Sequence, residues 1–255
     1  MNYLKIVMKK VLVIGDGCKD VFQYGGCDRL SPEAPVPVFK PTMFKENGGM
    51  AVNTYRNLLA LGVECDIITE SGATKTRFVD ETSNQMLLRI DENDEINELS
   101  NEKMMSINFD DYSAIVISDY NKGFLTEDTI KYLSKHKLVF LDTKKRIGDW
   151  CLDVDFIKIN EKEFKENSQY LCLKYVGELI VTMGKEGARY WMNNYPIETE
   201  HEVRDLSGAG DTFLAALVAK YLENNDICEA IRFANKCAAW VVTQKGVVTV
   251  DINKI

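Results

Sequence analysis

The sequence predicts an α/β fold in which helices cover both faces of a mostly parallel β-sheet. Short apolar runs rich in β-branched residues recur along the 255-residue chain, and stretches with helical spacing separate most of them. Parallel strands are buried on both faces and need helical connections, so this alternation favours a parallel sheet. The predicted strands are residues 10–15, 65–69, 114–118, 138–142, 155–159 and 178–182.

Several helices can be placed from the residues at their ends. The amphipathic stretch 50–61 stops at Gly62, and glycine is favoured just after the end of a helix. A second stretch begins at Thr126, whose hydroxyl suits the N-cap position. Two long helices close the chain, at residues 208–223 and 226–243.

Two segments interrupt the alternation of strands and helices. Residues 29–40 hold three of the five prolines, and residues 75–91 contain the apolar runs RFV and MLLRI. Proline has no backbone N–H, so a strand that contains Pro35 and Pro37 can pair along one edge only. We expect the two segments to pair into a small separate β-sheet that forms a lid at the end of the main sheet.

Composition and charge exclude several classes of protein. The formal net charge is −8, which disfavours a nucleic-acid partner held by a basic surface. Seven cysteines without a C-x-x-C spacing and only two histidines argue against a disulfide framework, a zinc site and a histidine metal site. The sequence has no evident signal peptide and no run long enough to span a membrane. We expect a cytoplasmic protein, folded as a single domain over residues 1–255, that binds neither nucleic acid nor a membrane.

The stretch DLSGAGDTFLAAL, residues 205–217, points to an anion site. Gly208, Ala209 and Gly210 precede or open a helix, where unpaired N–H groups and the helix dipole attract negative charge. Asp211 stands beside that site, where it can accept a proton from a hydroxyl that attacks a phosphorus. On spacing alone, an ordinary tight loop with a helix-start carboxylate explains these residues equally well.

Two polar stretches near the start of the chain can form the wall of a ligand site. In NGGMAVN, Gly48 and Gly49 allow close approach to the backbone, and the Asn53 amide can bind sugar hydroxyls. In VLVIGDGCKD, Asp16 and Asp20 follow the first strand, where α/β proteins bind ligands. Each stretch can equally be a turn, and the second lacks the third glycine of a dinucleotide fingerprint.

Further polar residues follow later strands. Lys122 and Lys144 can supply positive charge to a phosphate, although surface lysines are usually just solvated. Asn160 and Glu163 open a helix with one turn between them, so they are either a capping pair or an oxygen-rich site for hydrated Mg²⁺.

Taken in order, these motifs resemble the ribokinase or PfkB family of ATP-dependent sugar kinases. The resemblance runs over almost the whole chain and implies a ribokinase-like three-layer αβα sandwich with a mostly parallel central sheet and a small β lid. The motifs are G-D-x-x-x-D (15–20), G-G-x-x-x-N (48–53), N-x-x-E (160–163), T-x-G-x-x-G (182–187) and D-x-S-G-A-G-D (205–211).

The resemblance also implies a role for each site residue. Asp211 would be the catalytic base, and the backbone of 208–211 would stabilise the transferring phosphoryl group. Asn160 and Glu163 would organise Mg²⁺ through water together with the ATP phosphates, and Asp205 would lie near a monovalent cation such as K⁺. The sugar would be held by Asp16, Asp20, Gly48, Gly49 and Asn53, and the nucleotide by Thr182, Gly184, Gly187 and Asn235.

Within the family, three stretches most resemble the kinases of D-glycero-β-D-manno-heptose 7-phosphate. They are RLSPEAPVPV, SDYNKG and FANKCAAWVV. The implied reaction places a phosphate on the anomeric O1 and gives the 1,7-bisphosphate, with Arg29, Lys122 and Lys144 near a phosphate group. Relatives commonly form lid-to-lid dimers, which implies a homodimer. They also usually carry a longer insertion where this chain has only residues 69–75. The alternatives are another sugar or nucleoside acceptor, or a non-catalytic sugar-responsive binding protein.

Overall fold

One ten-stranded β-sheet organises the fold. The structure, a computed structural model, describes residues 10–170, 179–198 and 202–255. The strand order is β10-β9-β8-β7-β6-β5-β1-β3-β4, with β2 paired to β1. The strands are β1 (Lys10–Leu30), β2 (Pro37–Met50), β3 (Cys65–Asp80), β4 (Met86–Glu92), β5 (Tyr112–Asp119), β6 (Leu138–Thr143), β7 (Phe156–Asn160), β8 (Leu179–Thr182), β9 (Ala188–Tyr190) and β10 (Asn193–Tyr195).

Helices lie on both faces of the central, parallel part of this sheet. The core on one face includes residues of α1, α5 and α6, and the core on the other face includes residues of α3. This is the three-layer α/β arrangement that the sequence predicts. The helices are α1 (Ala51–Ala60), α2 (Asn101–Met105), α3 (Glu127–Leu133), α4 (Glu161–Asn167), α5 (Ala209–Asn224) and α6 (Ile227–Val241).

The apolar runs and end signals are confirmed as elements. β1, β3, β5, β6, β7 and β8 pair in parallel and contain the predicted runs within the described residues. The Thr126 hydroxyl accepts a hydrogen bond from the Thr129 N–H at 3.1 Å, which caps α3. Gly62 follows α1 with a φ of 81°, a conformation that favours glycine. Among the described residues, no helix combines the length and the apolar character needed to cross a bilayer.

The lid differs from the expected separate sheet because β1 and β3 run through both parts of the molecule. β1 pairs with β5 only as far as Gly15; it then continues between β2 and β3 to Gly25 and pairs with β2 alone as far as Leu30. A register shift between Asp16 and Cys18 marks the change. Asp16 and Asp20 therefore lie within a strand and not in a turn after it. The predicted antiparallel pairing of RFV with MLLRI is confirmed, since β3 pairs with β4 over these residues.

The proline-rich segment also differs in part from the prediction. Residues 31–36 connect β1 to β2, so Pro35 lies outside any strand and only Pro37 and Pro41 belong to β2. Among the described strands β2 pairs with β1 alone, so a strand that contains prolines does stand at an edge. The short segment 69–75 is part of β3, which therefore passes directly from the main sheet into the lid.

Candidate active site

Asp211 stands in the first turn of α5, and side chains from two other parts of the fold hold its carboxylate. Its side chain is buried, with the residue 4% exposed. The Asn53 amide of α1 donates to one carboxylate oxygen at 3.0 Å, and the Tyr120 hydroxyl, just after β5, donates to the other at 2.7 Å. Burial raises the pKa of Asp211 to about 6, although both hydrogen bonds favour the ionised form. The carboxyl group is thus held in place and titrates near neutral pH.

The glycines before Asp211 are required by close approach of other side chains. Gly208 caps α5 with a φ of 81°, and a Cβ there would lie 2.7 Å from the Asn53 amide nitrogen. A Cβ on Gly210 would lie 3.0 Å from the Lys158 amine. The start of α5 therefore approaches both groups at backbone level, and a helix N-terminus of this kind attracts an anion.

A buried ion cluster lies beside Asp211. Two of its members, Lys158 and Asp142, were not predicted from the sequence. Lys158 on β7 pairs with Asp142 on β6 at 2.6 Å, and both are almost fully buried. Lys144 contacts the other Asp142 oxygen at 3.5 Å and pairs with Glu163 at 2.5 Å. The one sequence signal for Lys158 is a lysine inside the otherwise apolar strand FIKIN.

Opposite charges decide the protonation states in this cluster. Burial alone would raise the pKa of Asp142, but Lys158 and Lys144 outweigh it and hold that pKa below its ordinary value. Burial also works against the charge of Lys144, yet Asp142 and Glu163 keep its pKa above the ordinary value. These two shifts keep Asp142 and Lys144 ionised, so the charged amine of Lys144 lies within the cluster beside Asp211.

Asn160 and Glu163 form a reciprocal capping box at the start of α4. The Glu163 N–H donates to the Asn160 side chain at 2.9 Å, and the Asn160 N–H donates to Glu163 at 2.8 Å. Because the other Glu163 oxygen pairs with Lys144, this carboxylate suits contact with the water shell of Mg²⁺ better than direct ligation. The described residues include no cluster of three or more His, Cys, Asp or Glu side chains suited to a metal.

Asp16 and Asn53, predicted to hold a sugar, are both engaged with protein groups. Asp16 is fully buried and accepts backbone N–H groups of Tyr120 at 2.6 Å, Lys122 at 3.3 Å and Phe124 at 3.3 Å. It therefore orders the loop that carries Tyr120, a residue that the sequence analysis did not select. The Asn53 side-chain oxygen accepts a hydrogen bond from the Asn57 amide at 3.1 Å, and the Asn53 side-chain nitrogen donates to Asp211.

Asp20, Gly48 and Gly49 meet at the base of the lid. Asp20 forms an ion pair with Arg77 of β3, and both side chains are largely buried. A Cβ on Gly49 would lie 2.1 Å from an Asp20 oxygen, so the glycine permits β2 to pass close to that carboxylate. Gly48, the next residue back along β2, pairs with Lys19 of β1.

The residues predicted to bind the nucleotide lie on the β8 side of Asp211. Thr182 ends β8, and Gly184 and Gly187 follow with positive φ values of 59° and 88°. The Asn235 amide of α6 donates to the Tyr195 carbonyl at 2.7 Å, and the same tyrosine carbonyl leaves no room for a Cβ on Gly187. Asn235 also lines a cavity of about 310 Å³ between the end of β10 and α6.

The remaining predicted residues lie apart from this centre or are already paired. Asp205 accepts N–H groups of Ser207 at 2.8 Å and Gly246 at 3.2 Å, so it joins two loops near the start of α5. Lys122 forms an ion pair with Asp94. Arg29 is exposed near the far end of β1, remote in sequence and along the strand from Asp16.

Comparison with known proteins gives one family and a consistent fold. The pattern of the pfkB family carbohydrate kinases matches residues 62–254. Among solved structures, the ribokinase from Thermotoga maritima superposes with a TM-score of 0.72 at 17% identity, covering 96% of this chain and 97% of that one. Phosphofructokinase-2 from Escherichia coli, solved in complex with potassium, gives a TM-score of 0.69 at 14% identity and covers 96% of each chain.

Curated relatives carry the name bifunctional protein HldE. The protein from a Nitratiruptor species is 32% identical over 300 residues, which covers 96% of this chain and 64% of that protein. The protein from Helicobacter acinonychis (strain Sheeba) is 29% identical over 307 residues and covers 97% and 66%. The chain thus spans about two thirds of the length of these relatives. With the ribokinase fold and the GAGD helix start in place, the chain belongs to the pfkB family of carbohydrate kinases.

Proposed function

We propose that this protein transfers the γ-phosphate of ATP to a hydroxyl of a sugar phosphate, with Asp211 as the base. The observation that carries the proposal is the position of this carboxyl group. It lies in the first turn of α5, beside N–H groups that suit an anion, and Asn53 and Tyr120 fix its two oxygens. A pKa of about 6 leaves it ionised at neutral pH and able to accept a proton.

In this mechanism the protein contributes position and charge more than covalent chemistry. The attacking hydroxyl lies beside Asp211 and gives up its proton as its oxygen bonds to the γ-phosphorus. The N–H groups at the start of α5 and the Lys158 ammonium stabilise the negative charge on the transferring group. A Cβ on Gly210 would fill the space beside Lys158, which agrees with a site that needs both groups near one anion.

The nucleotide side is proposed on similar grounds. Asn160 and Glu163 would hold the ATP phosphates and the water shell of Mg²⁺, and the ion would supply charge that offsets the phosphate oxygens. Asn235 lines the cavity beside α6, which suits the base of ATP, and Thr182, Gly184 and Gly187 would bind the rest of the nucleotide. Asp205 lies at two loops near α5, where a bound K⁺ would steady the anion site.

The proposed acceptor is D-glycero-D-manno-heptose 7-phosphate, phosphorylated at the anomeric O1. Similarity to the bifunctional HldE proteins and the stretches SDYNKG and RLSPEAPVPV support this choice. A different sugar or a nucleoside is the second candidate acceptor. A non-catalytic binding protein fits less well, because the base, its two hydrogen-bond donors and the charged cluster are all in place.

We also propose a single kinase domain that pairs with a second copy through the outer lid face. The outer lid face is the side of β2 and β4 that carries Phe44, Leu88 and Ile90, which are 64%, 55% and 41% exposed. Burying such side chains against a second copy would remove apolar surface from water.

The test is the release of ADP with a panel of acceptors: heptose 7-phosphate, hexose phosphates, free sugars and nucleosides. We expect the highest kcat/KM with heptose 7-phosphate, and a fall in kcat of about 10²- to 10⁴-fold in Asp211→Asn. Sugar binding without ADP release would favour the non-catalytic protein. Turnover confined to unphosphorylated acceptors would refute the proposed substrate, and normal turnover in Asp211→Asn would refute the role of Asp211.

A further inference from the structure

The inner lid face is the side of the lid that packs on the main body. Phe22 and Tyr24 of β1 and Val79 of β3 contact Val247 of the main body and so identify this face. Side chains alternate between the two faces of a strand, so strand register shows which other residues share it.

Basic side chains form a row on the inner lid face. Phe22 pairs with Lys45 of β2 on one side and with Arg77 of β3 on the other, and Arg77 pairs with Arg89 of β4. Directly paired residues project from the same face of a sheet. The next row toward Asp211 contains Asn47, Asp20, Lys75 and Asp91.

Arg77 and Arg89 are like charges directly across two strands, and such charges repel. Each arginine has one carboxylate partner in the lid. Asp20 pairs with Arg77, and Asp91 pairs with Arg89 at 2.8 Å. Lys75 forms no ion pair with a described residue, and its amine lies 5.4 Å over the Tyr120 ring. The two rows thus hold four cations and two carboxylates in a chain with a net charge of −8.

The cations start next to the base and extend away from it. Tyr120, whose ring lies under Lys75, donates its hydroxyl to Asp211 at 2.7 Å. Arg77 is two residues further along β3, which is about 6–7 Å at the usual rise of a strand. The lid strands lie on the opposite side of β1 from β7 and β8, where the nucleotide residues stand. The row therefore lies away from the residues that are proposed to bind ATP.

We propose that Lys75, Arg77 and Arg89 bind the phosphate monoester that the acceptor already carries. This inference rests on the proposed phosphoryl transfer at Asp211. Arginine side chains match phosphate oxygens in a two-point contact, and an acceptor phosphate between Arg77 and Arg89 would relieve their repulsion. The ligand class is a sugar whose phosphate lies several bonds from the reacting hydroxyl.

The inference moves the phosphate contact away from the residues that the sequence favoured. Lys122 pairs with Asp94 and Lys144 lies between two carboxylates, Asp142 and Glu163, and neither lysine belongs to the two lid rows. Arg29 stands near the far end of β1, beyond the proposed row.

The experiment compares Lys75→Met and Arg89→Met with Lys19→Met as a matched control. Lys19 is also a cation of the lid, on β1, but it lies on the outer lid face and pairs with Glu46 at 2.9 Å. Arg77 is kept, because loss of its buried ion pair with Asp20 would also disturb folding. The kinetic readouts are kcat/KM for heptose 7-phosphate and for the unphosphorylated heptose, together with the KM for ATP.

We expect Lys75→Met and Arg89→Met each to lose about 10- to 100-fold in kcat/KM for the phosphorylated sugar. In both variants, activity with the unphosphorylated sugar and the KM for ATP should equal those of the wild type. Lys19→Met should equal the wild type in every readout. Inorganic phosphate should also inhibit the two variants more weakly than the wild type. Equal losses with both sugars, or no loss relative to Lys19→Met, would overturn the inference while leaving the kinase activity intact.

If the wild type releases no ADP with any acceptor, the proposed function fails and binding still tests the inference. Calorimetric titration of heptose 7-phosphate without ATP then provides the readout. Binding that is weaker in Arg89→Met than in Lys19→Met supports the phosphate site, and equal binding overturns it.

Discussion

The surroundings of Asp211 and the lid differ in the exposure of their charged residues, although β1 is part of both and the lid pair Arg77–Asp20 is itself largely buried. Around Asp211, charges are buried and paired: Lys158 is 4% exposed and Asp142 is 2% exposed. In the lid, every residue of β4 is exposed, and Lys75 has no carboxylate partner among the described residues. A buried cluster holds reacting groups in one geometry, whereas an open basic row can accept an anion from outside. The contrast is between a buried, paired cluster beside Asp211 and the lid row that is proposed to bind the acceptor phosphate.

The largest effect is expected from breaking the buried cluster. Lys158→Met leaves Asp142 buried with Lys144 as its remaining cation, so unfolding free energy should fall by about 3 kcal/mol. Because Lys158 also faces the anion site, kcat should fall about 100-fold. Urea denaturation and ADP release measure the two effects.

Lys145→Met is the matched control for this change. Lys145 forms an equally close pair with buried Asp119 at 2.6 Å, but it does not contact Asp211. It should lose similar stability and keep most of kcat. If both variants keep kcat, the contribution of Lys158 is to stability alone.

A smaller effect is expected at the start of α5. Gly62 and Gly208 both have a φ of 81°, so alanine at either position should cost about 1–2 kcal/mol of stability. Only a Cβ on Gly208 meets a neighbour, the Asn53 amide that holds Asp211. Gly208→Ala should therefore lower kcat about 10- to 100-fold, while Gly62→Ala should not. Equal activity in the two variants would mean that the position of Asn53 does not matter to turnover.

The sequence was sufficient to locate the strands and helices whose residues all fit one local pattern. The apolar runs of the central strands and the caps at Thr126 and Gly62 identify elements because burial and backbone geometry act locally there. The GAGD stretch likewise located the start of α5. The continuation of β1 beyond Gly15 was not predictable, because Asp16 and Asp20 break the apolar pattern of a strand with polar groups that the site requires.

Long-range contacts account for what the sequence did not indicate. Tyr120 reaches Asp211 across 91 positions in the chain, and nothing local to Tyr120 predicts that contact. The pairing of Lys158 with Asp142 and of Arg77 with Arg89 depends on strand order and register, which only the folded sheet defines.

The most direct test is the pH dependence of kcat/KM in the wild type and in Tyr120→Phe. Asp211 faces Asn53, Tyr120, Asp142 and Lys158, and its hydrogen bond from Tyr120 favours the ionised form. A base with a pKa of about 6 should lose activity as pH falls through that value. Removal of the Tyr120 hydroxyl should raise the pKa and move the acidic limb to higher pH.

The acceptor phosphate titrates in the same range, with a pKa of about 6, so the comparison of the two proteins isolates the contribution of Asp211. The account predicts an acidic limb in the wild type that lies at higher pH in Tyr120→Phe. A limb at the same pH in both proteins, or at lower pH in Tyr120→Phe, would contradict the claim that Asp211, held by Tyr120, is the base.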